Sequence, residues 1–363
     1  MADRWLLGSA LLALGCAPEP ELSVRAQAWP EATALFQRDP AWVGGDGAYS
    51  CDLGSDPQGR GRVLWLFGDS LIARTAKRDP GDAWFVRNSV AIQTGYDPTT
   101  ALIAFHWGQI DGHAGSFFAE SAKRWFWPGP CARIGSKVYV FGGWLWQVEP
   151  GMWGFAGERA TVFAIDNPDA SPATWQPREL PLAGDGTAVE VGTAGFVRDG
   201  WWYVYGRSGD WHDYKVARFA VTDVQRDDFL QPQVWTASGW QPWRRDGPQQ
   251  AEVFALGAPE SSVHFEPKLG RYVMGQSEGF GATTLALRTA LTPEGPWSAP
   301  QTVLRPPESF TVGNFVYAGK AHPHLLGADL AMTYVPSQFN DVPSVPRKHW
   351  YHPHFAKLTW VTP

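Results

Sequence analysis

A short apolar run that ends near a glycine returns five times along this chain. GRVLWLFG (61–68), GSKVYVFG (135–142), DGWWYVYG (199–206), LGRYVMGQ (269–276) and LGADLAMTY (326–334) are the copies, each built around a turn with Gly or Asp. Counted from Phe67, Phe141, Tyr205, Met274 and Tyr334, the steps are roughly 60–75 residues, longer than the roughly 40–50 of a common propeller blade. A unit of three or four strands cannot bury both its faces alone, so successive units must stack. The pattern predicts an all-β chain, a five-bladed β-propeller with long insertions between strands.

Within each copy, alternation and β-branched or aromatic enrichment place three strands. They fall at 46–53, 62–68 and 88–94; at 131–135, 137–143 and 160–166; at 189–198, 201–206 and 215–221; at 260–266, 271–276 and 283–289; and at 317–325, 329–335 and 354–361. Stretches such as NPDASPATWQP (167–177) and VPSQFNDVPSVP (335–346) read as loops, and Asp79–Ala83 and Asp111–Ser121 as loops or short helices. No dinucleotide fingerprint, P-loop, HExxH, zinc-type cysteine cluster or GxSxG element occurs. The net charge of −6 and the lack of a dense Lys/Arg run argue against nucleic acid or an anionic membrane as partner.

The N-terminus reads as a processing signal. Arg4 precedes an apolar run, Leu6–Leu14, of signal-peptide length and too short to span a bilayer. The run closes at Ala13-Leu14-Gly15-Cys16, which resembles a bacterial lipobox. That resemblance implies lipidation of Cys16, a membrane contact made only through the lipid, and, with Ala17 next, the outer membrane or cell surface. An ordinary secretory signal is the competing reading. The domain plan is therefore a signal over 1–16, a tether over 17–39 and one folded domain over 40–363, expected as a monomer. In an exported protein, Cys51 and Cys131 suit either one disulfide or two separately buried thiols.

The inner strands of a propeller surround one funnel, so their polar residues meet. Asp46 in GGDGAY, Asp69 in LFGDS, Glu120, Glu190, Glu260, Ser262, His264, Lys320, His322 and His324 lie on or beside the proposed inner strands. Converging carboxylates suit glycoside hydrolysis: one acid protonates the leaving oxygen, and a second carboxylate attacks the sugar or activates water. Each Asp also has a plainer reading as a turn residue bonded to nearby backbone N–H groups. Asp210 and Asp213, in SGDWHDY, read as solvated loop acids. The 21 tryptophans serve either as packing between sheets or as faces for sugar rings, and Trp127 in FWPGP is singled out for the second role. No cofactor motif is present. An oxygen-rich funnel could house a calcium ion, but no loop has EF-hand spacing.

WLFGDS (65–70), VRNSVAIQ (86–93), FWPGP (126–130), SSVHFEPKLGRYVM (261–274), LRTALTPEGPWSAP (287–300) and GKAHPHL (319–325) carry a family likeness. They resemble a bacterial five-bladed propeller family, long catalogued as a domain of unknown function, whose members are linked to endo-acting D-arabinofuranosidases of cell-wall arabinan. The resemblance implies catalytic roles for Asp46, Asp69 and Glu260 and matches its Ala-His-Pro element to His322. From the residues themselves, Asn88, Trp127, His264 and His322 are expected to hold the sugar, and Arg87 either holds a substrate hydroxyl or pairs with a carboxylate. Where relatives read FWPGDG, this chain has Pro130-Cys131 and lacks the Asp. The expectation is an exported glycoside hydrolase acting on a furanoside polysaccharide. The alternative is a surface glycan-binding propeller without catalysis.

Overall fold

The computed structural model describes residues 22–361, apart from 76–79, 119, 122, 152–153, 188–191, 209–212, 279–282, 312 and 339–350. The signal segment with Cys16, and also Glu190 and Asp210, lie outside the described residues.

All three strands expected in each copy are present, and each copy is an antiparallel meander. The first sheet runs Tyr49–Ser55, Gly61–Phe67, Ser89–Thr94, Leu102–His106. The second runs Arg124–Ile134, Lys137–Gln147, Phe155–Ile165, Arg178–Leu180. The third runs Gly192–Arg198, Trp201–Ser208, Asp213–Ala220, Gln233–Thr236, Gly239–Pro242. The fourth runs Ser261–Glu266, Arg271–Ser277, Leu285–Ala290, Gln301–Leu304. The fifth runs Asn314–His322, Leu330–Gln338, His354–Trp360, and Val24–Ala28 completes it as the outermost strand.

The apolar repeat marks the second strand of every sheet. That strand has paired neighbours on both edges and packed sheets on both faces, so it reads as a continuous hydrophobic run. Gly61–Phe67 has five consecutive fully covered residues from Val63 to Phe67. The fourth strands are short and half-exposed, and their weak alternation hid them from the sequence reading.

Among the described residues the core divides into five apolar clusters, each between two sheets. Leu64, Leu66, Phe126 and Val140 join the first and second. Phe141, Val162, Trp202 and Phe219 join the second and third. Tyr205, Val216, Val263 and Met274 join the third and fourth. Val273, Leu287, Val316 and Met332 join the fourth and fifth. Trp65, Phe67, Ala331 and Phe355 join the fifth back to the first. The sheets therefore stack in chain order, and the last packs on the first.

The stretch 17–39 departs from the tether reading. From Val24 onward it is built into the fold. Val24–Ala28 pairs antiparallel with His354–Trp360, which bolts the start of the chain to its end. Leu35 and Phe36 follow and are fully buried. The Phe36 ring stacks on Phe355 at 5.4 Å and meets Trp65 edge-on at 5.1 Å. Burying such a side chain contributes about 2 kcal/mol. The Pro- and Glu-rich composition around it concealed that anchor. Two further elements lengthen the first copy: a small sheet of Trp42–Gly45, Ser70–Ala73 and Ala83–Val86, and a hairpin of Gly108–Ile110 and His113–Gly115. Parts of both were read as loops or short helices.

Cys51 and Cys131 form a disulfide between the first strands of the first and second sheets, with Cα atoms 5.7 Å apart and a sequence separation of 80. Replacing both with alanine is expected to lower the unfolding free energy by about 3–4 kcal/mol, the entropy of closing so long a loop. The guanidinium midpoint reads this, and an unchanged midpoint would show that the bridge does not hold the two sheets.

Candidate active site

Two turns of the first sheet region build the centre of the site. Asp46 lies in the turn between Trp42–Gly45 and Tyr49–Ser55, just ahead of the strand on which it was expected. Asp69 lies in the turn between Gly61–Phe67 and Ser70–Ala73. The Gly68 N–H donates to the Asp46 carbonyl at 3.1 Å, and the Asp46 N–H donates to the Asp69 carbonyl at 3.2 Å. These reciprocal bonds set the two aspartates side by side. Gly68 must lack a side chain, because a Cβ there would stand 2.5 Å from Asp46 Oδ1.

Glu260 enters from the fourth sheet, one residue before Ser261–Glu266. A Cβ on Gly47 would stand 3.7 Å from Glu260 Oε1, which places that carboxylate over the Asp46 turn. Lys320 of the fifth sheet, with only 1% of its side chain exposed, puts Nζ 3.3 Å from Glu260 Oε1 and 4.4 Å from the centre of the Tyr49 ring. Burial lowers the Lys320 pKa, and Glu260 opposes that shift. Strand Asn314–His322 shifts register between Tyr317 and Lys320, with Ala318 at φ +56°. This bulge lets the same strand serve both Asp46, through Tyr317, and Glu260, through Lys320.

Each aspartate has its own set of partners. Asp69 Oδ1 accepts the Trp127 indole N–H at 3.0 Å, and Asp69 Oδ2 lies 3.5 Å from Arg87 Nη1. Arg87 is itself stacked on Trp125 at 4.0 Å. Asp46 Oδ2 accepts the Tyr317 hydroxyl at 2.9 Å and the Tyr351 hydroxyl at 3.1 Å. Burial pushes the Asp46 carboxyl well above the usual carboxylate range. The charges of Asp69 and Glu260 push the same way, and the two tyrosine hydroxyls pull back. Burial pushes Asp69 up to about 6, opposed by Arg87 and Trp127, with Glu120 adding a smaller upward push.

The structure thus brings Asp46, Asp69, Glu260, Arg87 and Trp127 together. It does not bring Asn88, His264 or His322 to them as sugar ligands. Asn88 is fully buried, and its amide is spent on backbone: Nδ2 donates to the Phe126 carbonyl at 2.9 Å, and Oδ1 accepts the Phe118 N–H at 2.7 Å. His322 is also buried. Its two ring nitrogens bond Ser50 Oγ at 2.6 Å and Thr333 Oγ1 at 2.8 Å, tying the fifth sheet to the first, and burial drives its pKa well below the usual histidine value. His264 faces a central cavity of about 400 Å³ between the inner strands, shared with Ser50, Ser262, Lys320 and His324. Its Nε2 lies 3.9 Å from Glu266 Oε2. Asp213 begins strand Asp213–Ala220 and pairs with Ser208. Among the described residues no group of three or more His, Cys, Asp or Glu side chains is arranged to hold a metal ion.

Tyr317 and Tyr351 were missed in the sequence. Tyrosine in a propeller reads as core filling, and Tyr351 stands outside every strand. A cue exists in Gly44: a Cβ there would overlap the Tyr351 carbonyl, so that glycine makes room for the segment that delivers the hydroxyl.

A domain of unknown function, DUF5005, matches residues 31–359. The chain belongs to the DUF5005 family. Among solved structures, a candidate hydrolase from Bacteroides ovatus ATCC 8483 is similar at 19% identity and TM-score 0.68, over 94% of this chain and 93% of that one. At that identity the likeness speaks for the fold alone. A GH43_1 enzyme from Xanthomonas citri complexed with xylose aligns at 18% identity and TM-score 0.47, over 92% of each chain. The catalytic domain of the Coprinopsis cinerea GH62 alpha-L-arabinofuranosidase aligns at 10% and 0.47, over 94% and 97%. No curated protein matches in sequence.

A carboxyl whose proton is held more tightly in the folded than in the unfolded chain costs stability once the pH exceeds its unfolded pKa. In this DUF5005 protein, Asp46→Asn is therefore expected to raise the melting temperature near neutral pH. The gain should amount to about 1 kcal/mol and shrink toward zero as the pH falls to the ordinary carboxylate range. Melting curves of both proteins across pH check this, and a destabilised Asp46→Asn protein at neutral pH would contradict it.

Proposed function

We propose that this DUF5005 protein is a glycoside hydrolase with a five-bladed β-propeller fold, cleaving furanoside linkages of an arabinan-like polysaccharide. The observation that carries the reading is the convergence of Asp46, Asp69 and Glu260 in one place, the first two with raised carboxyl pKa values. A carboxyl raised by burial and by two neighbouring carboxylates, set beside a carboxylate braced by Arg87 and Trp127, supplies both chemical needs of glycosidic cleavage. One group holds a proton for the leaving oxygen, and another remains negative beside the anomeric carbon. Carboxyl pKa values perturbed in this way cluster at catalytic sites, which favours the hydrolase over an inert glycan-binding face.

The surroundings fit a sugar. The Trp127 ring is half-buried, lies edge-on to Phe155 at 5.0 Å and Trp125 at 6.3 Å, and is held at one edge by Asp69. A fixed indole of this kind suits the C–H face of a sugar ring. Arg87, braced by Trp125 and paired with Asp69, carries further N–H donors for sugar hydroxyls. The register of strand Arg124–Ile134 shifts between Pro128 and Cys131, so Pro130 sits in a bulge where its missing N–H is not needed for pairing. That bulge occupies the place of the Asp in the related FWPGDG motif, and we assign the substrate preference of this member to it.

We further propose export, with Cys16 as the lipid anchor and the outer membrane or cell surface as the location. The Cys51–Cys131 disulfide favours an oxidising compartment.

The experiment is product release from D-arabinan, L-arabinan and galactan by the purified protein. Release is expected from an arabinan, with kcat/KM for Asp46→Asn lower by roughly 10³-fold or more while the protein stays folded. Retention on a glycan without release would replace the hydrolase with a binding module. The pH profile carries a second expectation. Because Asp69 must be ionised to face a developing positive charge, activity should fall as the pH drops through about 6. A rate that stays flat well below that pH would remove Asp69 from the mechanism.

A further inference from the structure

The two aspartates differ in what their partners are able to do, and that difference separates their roles. Asp69 is held by an indole N–H on Oδ1 and a guanidinium beside Oδ2. Both groups only donate. A proton placed on either Asp69 oxygen would face a donor that cannot accept it. Asp46 Oδ2 is held by two hydroxyls, and a hydroxyl both donates and accepts.

Tyr351 has a second acceptor within reach. Its hydroxyl lies 3.1 Å from Asp46 Oδ2 and 3.0 Å from the Asp69 backbone carbonyl. One hydrogen serves two acceptors. When Asp46 is ionised, the stronger acceptor is its carboxylate, and the hydrogen points there. When Asp46 is protonated, Oδ2 is a weaker acceptor, and the hydrogen turns to the Asp69 carbonyl. Oδ2, the Tyr351 hydroxyl and the Asp69 carbonyl each keep a partner in either state. The hydroxyls hold Oδ2, which leaves Oδ1, beside Gly68, for a moving proton.

We infer that Asp46 is the group that gives and takes the proton, through Oδ1, that Tyr351 and Tyr317 are positioning residues serving both of its protonation states, and that Asp69 stays a carboxylate. This rests on the glycosidase reading and assigns roles within that site. In the cleavage step the Asp46 proton passes to the glycosidic oxygen as the C–O bond breaks, and the bonding pair leaves with that oxygen. Water then gives its hydroxyl to the anomeric carbon and its proton back to Asp46. Asp69 faces the positive charge that builds on that carbon. The charged and titratable groups around Asp46 are Asp69 with Arg87 from the first sheet region, Glu260 with Lys320 from the fourth and fifth, and the two tyrosines. Electrostatics agree in direction: burial and the charges of Asp69 and Glu260 favour the protonated form of Asp46.

The test is an infrared pH titration of the carboxylic acid C=O band in the wild type, Asp46→Asn, Asp69→Asn and Tyr351→Phe, run beside turnover on arabinan. The wild type should show a protonated carboxyl near neutral pH that vanishes in Asp46→Asn. In Asp69→Asn the band should persist, with its titration moved to lower pH by loss of a neighbouring negative charge. Tyr351→Phe keeps the ring and should move the titration to higher pH, because a bond that favours the ionised form is gone. In turnover, Tyr351→Phe should cost roughly 10- to 100-fold in kcat with KM little changed, and the limb of the pH profile that belongs to Asp46 should move up. Tyr317→Phe should move both readouts in the same direction.

A band that survives in Asp46→Asn and disappears in Asp69→Asn would reverse the roles and overturn the inference. An unmoved titration in both tyrosine variants would remove them as positioning residues. If the infrared pattern appears as expected and no glycoside is cleaved, the proton assignment stands and the glycosidase reading falls.

Discussion

Two backbone hydrogen bonds hold this site together. The Asp46 N–H reaches the Asp69 carbonyl, and the Gly68 N–H reaches the Asp46 carbonyl. Neither depends on side-chain chemistry, so the aspartates stay adjacent even though like charges disfavour it. The cost of that proximity is spread over neighbours that can absorb it: hydroxyls on Asp46, a guanidinium and an indole on Asp69, and a buried ammonium on Glu260. The backbone bonds in turn depend on the stack of sheets. Tyr317 and Lys320 arrive on a strand of the fifth sheet, which is joined to the first by the apolar cluster around Trp65, Phe36 and Phe355 and by the His322–Ser50 bond, and whose outermost strand is Val24–Ala28.

The stacking explains why such a site forms at all. Each sheet is covered on both faces by its neighbours, so its strands are rigid to their ends, and the turns just beyond the inner strands inherit that rigidity. Asp46 and Glu260 stand one to three residues before an inner strand. Side chains so close to a paired strand have little freedom. Preorganised charge of this kind is what a reaction passing through a charged transition state needs.

Much of this was legible in the sequence. The period of the apolar runs located three strands in each copy, because the second strand's continuous burial leaves a signal that turns and loops do not blur. The outer strands left almost none: Arg178–Leu180 and Gln301–Leu304 are half-exposed and short. Asp46, Asp69 and Glu260 were legible as acids beside inner strands. Asn88 and His322 looked alike to a reader of sequence but proved to be internal fasteners. Polarity shows that a side chain needs partners; it does not show whether the backbone already supplies them. Tyr317 and Tyr351 were invisible for the opposite reason, since a hydroxyl on a large ring hides among the core aromatics. The anchor around Phe36 was lost to the composition of its surroundings.

The most direct test of the account is a crystal structure of Asp46→Asn protein with an arabinofuranoside oligosaccharide, since that variant should bind without cleaving. The expected result is a glycosidic oxygen within hydrogen-bond distance of the residue 46 side chain, the anomeric carbon facing Asp69, and a sugar ring on Trp127. A saccharide seated on the rim, with residues 46, 69 and 260 facing only solvent, would contradict it.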